Sequence, residues 1–140
     1  MKTLTEGLSV APQISPADVA GIAAAGYRSI ICNRPDGEAT DQPSFAEIAE
    51  AAAAVGIACH NLPIVPGQLS DADAETFGRL LEELPAPVLA FCRTGTRSTT
   101  LWCLAQAGSA PTLEILGTAA SAGYDLSALT GRIEALAAQR

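Results

Sequence analysis

Short apolar runs alternate with alanine-rich, helix-patterned segments along most of this 140-residue chain, and single glycines stand between them. Ala25-Gly26-Tyr27 and Val55-Gly56-Ile57 each pass from a helix end to an apolar run across one residue. Glycine suits that place because a helix C-terminus calls for a left-handed residue. Strands and helices in such close succession predict parallel strands joined by crossover helices.

The expected order begins with a strand at Leu8–Ala11 and a helix capped by Ser15. Pro16 takes that helix's first position, Asp18 lies in its first turn, and it runs to about Ala25. A buried strand follows at Tyr27–Cys32. Ser44 and Glu47 form a capping box for a helix through about Val55, and Ile57–Leu62 is a strand ended by Pro63. Ser70 and Asp73 open a third helix to Glu83, Pro87–Phe91 is another apolar strand, and Arg97–Ala107 is helical. Thr112–Ala122 and Leu126–Gln139 lack strand patterning and read as helices. The expectation is α/β: one domain over 1–140, three layers, with a mostly parallel sheet of four to five strands flanked by helices and a helical C-terminus.

Sites in such sheets lie beyond the carboxyl ends of the strands. Cys92 stands there, at the end of Pro87–Phe91, followed by Arg93-Thr94-Gly95-Thr96-Arg97-Ser98. A thiol becomes a useful nucleophile near neutral pH when its surroundings favour the thiolate. Helix-terminal N–H groups, Arg93, Arg97 and the Ser98 hydroxyl supply such surroundings here. Gly95 lets the backbone turn inward with positive φ, so that Arg93, Thr94, Gly95 and Thr96 form a cradle for a small oxyanion.

Charge narrows the partners. The chain carries a net −7, which speaks against nucleic acid. Six aromatics offer little stacking surface for bases or sugars. Yet no Asp or Glu occurs from Pro85 through Leu113, so Arg93 and Arg97 make a locally positive spot suited to a small anion. Four cysteines (Cys32, Cys59, Cys92, Cys103) contain no Cys-x-x-Cys pair, and with the single His60 they form no zinc pattern. No metal and no cofactor is expected. The polar start Met1–Glu6 and the lack of a long apolar stretch lead to the expectation of a cytoplasmic protein with reduced thiols, away from membranes.

The loop resembles those of two families. Tyrosine and dual-specificity phosphatases carry His-Cys-x5-Arg-Ser/Thr, and rhodanese-type sulfurtransferases carry the shorter Cys-Arg-x-Gly-x-Arg/Thr. Four residues separate Cys92 from Arg97, the rhodanese length, while Arg97-Ser98 echoes the phosphatase ending. Phe91 stands where the phosphatase histidine would be. Leu62-Pro63-Ile64-Val65-Pro66-Gly67 is similar to the dual-specificity Ile-Pro-Val-x-Asp segment, yet the general-acid aspartate falls near Pro66; Asp36, Asp71 and Asp73 are substitutes outside the motif. Nearly the whole chain resembles the small bacterial family of beta-lactamase hydrolase-like, phosphatase-like proteins, some of them named sulfurtransferases. Val10–Ser15, Ile31–Glu38 and Cys92–Ser98 carry that resemblance, which implies a cysteine-phosphatase-like scaffold.

Cys92 is the expected nucleophile, Arg97 the anion clamp and Ser98 their hydroxyl partner; Arg93 is read as binding the distal part of a substrate or a partner. Arg34 and Asp36 either line the pocket or form a Pro-Asp-Gly turn with an arginine–carboxylate pair. Cys32 packs in the core, or resolves an oxidised or persulfidated Cys92 as a disulfide. Cys59, Cys103 and His60 read as structural, and Asp71, Asp73 and Glu75 complement a helix dipole. The leading expectation is a sulfurtransferase that moves sulfane sulfur from thiosulfate or a persulfide through a Cys92 persulfide to a thiol acceptor, such as an acceptor protein. The alternatives are phosphomonoester hydrolysis through a Cys92 phosphocysteine, and a non-catalytic module that binds an anion or a partner.

Overall fold

Five short strands, β1 (Lys2–Thr5), β2 (Leu8–Ala11), β3 (Ser29–Cys32), β4 (Ala58–Asn61) and β5 (Val88–Phe91), form one sheet in the order β1-β2-β5-β3-β4. The computed structural model describes residues 1–140. Strands β2, β5, β3 and β4 are parallel, and β1 joins β2 antiparallel at one edge. The Lys2–Thr5 strand was not among the expected elements. Only Leu4 of its four residues reaches the core, so its sequence reads as polar and its extended shape is imposed by pairing with β2.

Each central strand is apolar on both faces, as a parallel strand covered by helices on both sides must be. Val88 and Ala90 of β5 face one apolar layer, and Leu89 and Phe91 face the other. Helices α1 (Val19–Ala24) and α2 (Phe45–Ala54) cover the second face with Val19, Ile22, Ile48 and Ala52. The first face lies under α3 (Asp71–Glu83), α4 (Thr96–Ala105), α5 (Thr112–Ser121) and α6 (Thr130–Gln139). Fully burying a side chain such as Phe77, Leu101 or Ile115 stabilises the fold by roughly 1.5–3 kcal/mol each, which fixes α3, α4 and α5 against the sheet. This is a three-layer α/β fold with a mostly parallel sheet, as expected.

Local chemistry sets the helix starts. Ser70 Oγ accepts from Asp73 N (3.0 Å) while Asp73 Oδ2 accepts from Ser70 N (2.9 Å), a reciprocal capping box. At Ser15 only half of this device forms: Asp18 Oδ2 accepts from Ser15 N (2.8 Å), while Asp18 N donates to the Ser15 carbonyl (3.0 Å), so a 3₁₀ turn, Pro16–Asp18, comes first and α1 begins only at Val19. No strand follows α4: the tail is helical, as the sequence predicts.

Register positions the site. Ala11, Cys32 and Phe91 are paired across β2, β3 and β5, and Asn61 of β4 pairs with Cys32. These strands therefore end in line, and the loops after them open on the same edge of the sheet.

Candidate active site

Cys92 follows β5 directly and is 1% exposed. The chain then turns through Arg93 and Thr94 to Gly95, whose φ of 92° lies in the left-handed region and which precedes the first residue of α4. That turn aims the Gly95 N–H back at the sulfur, N to Sγ 3.1 Å. A Cβ at position 95 would overlap the Tyr124 hydroxyl, so glycine is required both by φ and by space. The Tyr124 hydroxyl donates to the Thr94 carbonyl (3.0 Å) and so pins the loop from the C-terminal helices. Burial, and after it the nearby Cys92 sulfur, raises the Tyr124 phenol above its ordinary value.

Arg97, on the first turn of α4, turns toward Glu38. Its Nη1 donates to Glu38 Oε2 (2.7 Å) and to the Ile64 carbonyl (2.8 Å), and its Nη2 donates to Glu38 Oε1 (2.9 Å). This two-pronged pairing matches a planar fork to two oxygens, the arrangement a phosphate would also use. Glu38 raises the Arg97 guanidinium above its usual range, and the Cys92 sulfur adds to that rise. In return the Arg97 hydrogen bonds, with Arg34 behind them, hold the Glu38 carboxyl below the usual carboxylate range.

Arg34 is 6% exposed and lies behind this pair. Its Nε donates to Glu38 Oε1 (3.0 Å) and its Nη1 to Gln13 Oε1 (3.1 Å). Asp36 goes elsewhere: its Oδ1 accepts from Phe45 N (2.8 Å) at the start of α2. The arginine–carboxylate pair of this segment is therefore Arg34 with Glu38, and Asp36 is not among the cavity-lining residues.

Ser98 does not point at the sulfur. Its Oγ donates to Asn33 Oδ1 (2.8 Å), and Asn33 Nδ2 donates to the Leu62 carbonyl (3.0 Å). The Asn33 backbone also bonds Phe91 O (2.8 Å) and Ile64 N (2.9 Å), so one buried asparagine ties the loops after β3, β4 and β5 together. Thr94 and Thr96 are partnered with each other, Oγ1 to Oγ1 3.0 Å. Gln13 N donates to Arg93 O (3.2 Å), which fixes the Arg93 backbone while its side chain stays exposed.

A cavity of about 570 Å³ opens over this edge, lined among others by Arg34, Glu38, Val65, Pro66, Arg93 and Arg97. Pro66 confirms by its presence on that wall that no carboxylate occupies the segment after β4. Burial pushes the thiols of Cys32 and Cys59 up to about 11, and that of Cys103 up to about 12. The Cys32 Sγ donates to Arg34 O (3.4 Å) and its side chain belongs to the α1/α2 face. His60 is exposed on the edge strand β4, away from the cavity.

The structure thus brings Arg34, Arg93 and Arg97 together around one cavity with Cys92 beside Arg97. Glu38, Asn33, Gln13 and Tyr124 are additions to the expected set. Glu38 left a signal, since it stands four residues after Arg34. Tyr124, thirty residues beyond Thr94, left none.

The model of the family described as beta-lactamase hydrolase-like protein, phosphatase-like domain, matches residues 1–109. A beta-lactamase hydrolase-like protein of Agrobacterium fabrum is 35% identical over 133 residues, which cover 94% of this chain but 31% of that protein. The chain therefore spans about a third of the length of this curated relative. A crystal structure of a candidate phosphatase from Neisseria meningitidis superposes with a TM-score of 0.87 at 38% identity, covering 96% of both chains. Tk-PTP in its active form shares the fold, with a TM-score of 0.76 at 17% identity, over 99% of this chain and 96% of that one. The loops that carry Cys92, Arg97 and Glu38 all fall inside the matched residues, and on that match the chain belongs to the beta-lactamase hydrolase-like, phosphatase-like domain family.

Proposed function

We propose that the protein is a cysteine-dependent phosphatase acting through a phosphorylated Cys92. One observation carries the reading: on a phosphatase scaffold, a buried cysteine receives the Gly95 N–H while the neighbouring Arg97 fork already grips two carboxylate oxygens. Those Glu38 oxygens stand in for two phosphate oxygens. A substrate phosphoryl group would displace Glu38 from Arg97, and Arg34, bonded to Glu38 Oε1, keeps a partner for the displaced carboxylate.

Cys92 Sγ, as thiolate, then forms a bond to phosphorus as the bond from phosphorus to the leaving oxygen breaks. The loop amides and Arg97 hold the equatorial oxygens as charge spreads over them. In the second step water attacks the phosphocysteine, phosphate departs, and the thiolate is restored with a proton released to solvent. Asn33 and Ser98 act by positioning the loops, and Tyr124 by bracing Thr94.

Sulfur transfer was the leading expectation from the sequence; its support is local, while strand order, the helical tail and the family match favour a phosphatase. It remains the second reading because of one specific observation, the four-residue spacing of Cys92 and Arg97, which suits a persulfide and a leaving group that requires no acid. The two are separated by assaying p-nitrophenyl phosphate hydrolysis and thiosulfate:cyanide sulfur transfer side by side, on wild type and Cys92→Ser. The expected outcome is phosphate release by wild type that falls at least about a thousandfold in Cys92→Ser. Sulfur transfer with an accumulating Cys92 persulfide, and no phosphate release, would sink the proposal. A protein that binds phosphate without turnover in either assay would be a binding module.

A further inference from the structure

Three of the chain's eight Lys and Arg residues, Arg34, Arg93 and Arg97, line a single cavity, although the protein as a whole carries a net charge of −7. Their employment differs. Arg97 is the fork beside Cys92, and Arg34 is buried and committed to Glu38 and Gln13. The Arg93 guanidinium has no ion-pair or hydrogen-bond partner in the protein, while its backbone is fixed by Gln13. It immediately follows the nucleophile in sequence and lines the same cavity as Arg97, which leaves an unpaired cation in the cavity beside the Cys92 loop.

The cavity also lacks two things that an ordinary phosphoester would use. Its only carboxylate is Glu38, which is bonded to two guanidinium groups and therefore carries no proton to give. Pro66 and Val65 occupy the segment after β4 from which an acid could reach in. No aromatic side chain lines the cavity, so a phosphotyrosine ring finds no stacking wall. An alcohol leaving as its alkoxide, about as strong a base as hydroxide, needs a proton in the transition state. A leaving phosphate, whose second pKa is about 6, does not.

We infer that the substrate class is the phosphoanhydride: a small organic diphosphate, whose terminal phosphoryl group is taken by Cys92 and whose departing phosphate is held by Arg93. The inference rests on the phosphatase reading and specifies its substrate. In the first step the Cys92 sulfur forms the S–P bond to the terminal phosphorus, and the bridging O–P bond breaks. The bridging oxygen leaves with its electron pair as part of an organic monophosphate, whose new negative charge meets the Arg93 guanidinium. Water then attacks the phosphocysteine, the S–P pair returns to sulfur, and the water proton passes to the departed phosphate or to solvent. One diphosphate and one water give one organic monophosphate and inorganic phosphate, with no redox change.

The test compares phosphate release from isopentenyl diphosphate, isopentenyl phosphate and phosphotyrosine by wild type and Arg93→Ala. In wild type the diphosphate is expected to exceed the monophosphate by about 100-fold in kcat/KM, and Arg93→Ala to lower that ratio about tenfold, the worth of one lost charge-assisted contact. Arg93 is exposed, so the variant keeps the fold. Equal rates on the two isopentenyl esters, faster turnover of phosphotyrosine, or an unchanged ratio in Arg93→Ala overturns the inference and leaves phosphoryl transfer through Cys92 standing. Absence of phosphate release from all three overturns the inference, and if p-nitrophenyl phosphate is not hydrolysed either, phosphoryl transfer falls with it.

Discussion

Glu38 shows how one side chain shapes the state of the free site. Its carboxylate occupies the Arg97 fork at 2.7 and 2.9 Å, so any incoming anion competes with a ligand the protein supplies itself. Arg97 holds Glu38 ionised to lower pH than an ordinary carboxyl, so the competitor is present throughout the neutral range and is lost only as pH falls through that lowered value. Glu38→Gln is therefore expected to bind inorganic phosphate about tenfold more tightly near pH 7 by calorimetry, since an amide competes less well for a guanidinium than a carboxylate. The advantage should shrink on acidification, as the wild-type carboxyl is protonated. Equal affinity at pH 7 would mean that Glu38 does not contest the fork. The same pair has a sign for stability: a carboxyl lowered by folding contributes stability above its unfolded value, and that contribution is lost as pH falls through the folded value.

At the scale of elements, the site depends on strands that end level and on loops tied behind them. Asn33 does the tying, with no exposure of its own and with bonds to the Leu62 carbonyl and the Ser98 hydroxyl. Asn33→Ala leaves the buried Ser98 hydroxyl unmatched and removes the donor to the half-buried Leu62 carbonyl, and is expected to cost roughly 2–4 kcal/mol in urea unfolding. A loss below about 1 kcal/mol would show that water replaces the amide. How legible these elements were follows from what forms them. Caps and stops at Ser44, Ser70, Gly26 and Gly56 are local and could be read directly. Strand β1 could not, because Leu4 alone of its residues reaches the core and its partner β2 makes it a strand. Ser98 was seen as a functional residue but given the wrong partner. The loop spacing shows that a hydroxyl lies near the cysteine, and only the position of β3 shows Asn33 within 2.8 Å of it.

Across the whole molecule, the apolar layers take up three of the four cysteines. Cys32, Cys59 and Cys103 sit in or against the apolar layers, which raises their thiols to about 11, 11 and 12. Native protein treated with iodoacetamide at pH 8 is accordingly expected to leave these three unmodified by peptide mass mapping, and to expose them on unfolding. Alkylation of Cys103 in the folded state would contradict the packing of α4 against the sheet. The alternation of strands and helices, the loop Cys92–Ser98 and the acid-free run Pro85–Leu113 were legible in the sequence, because short-range pattern and composition decide them. The sequence alone determined the fold class, the position of Cys92 at a strand end and the absence of acidic residues from the loop and helix that follow it. Tertiary structure decided the rest: that Glu38 rather than Asp36 meets Arg97, that Tyr124 braces Thr94, and that Arg93 is the one arginine of the cavity left unpaired. These are contacts between residues up to 59 positions apart in sequence, and only the register of the sheet and the packing of the helical tail bring them within hydrogen-bonding distance.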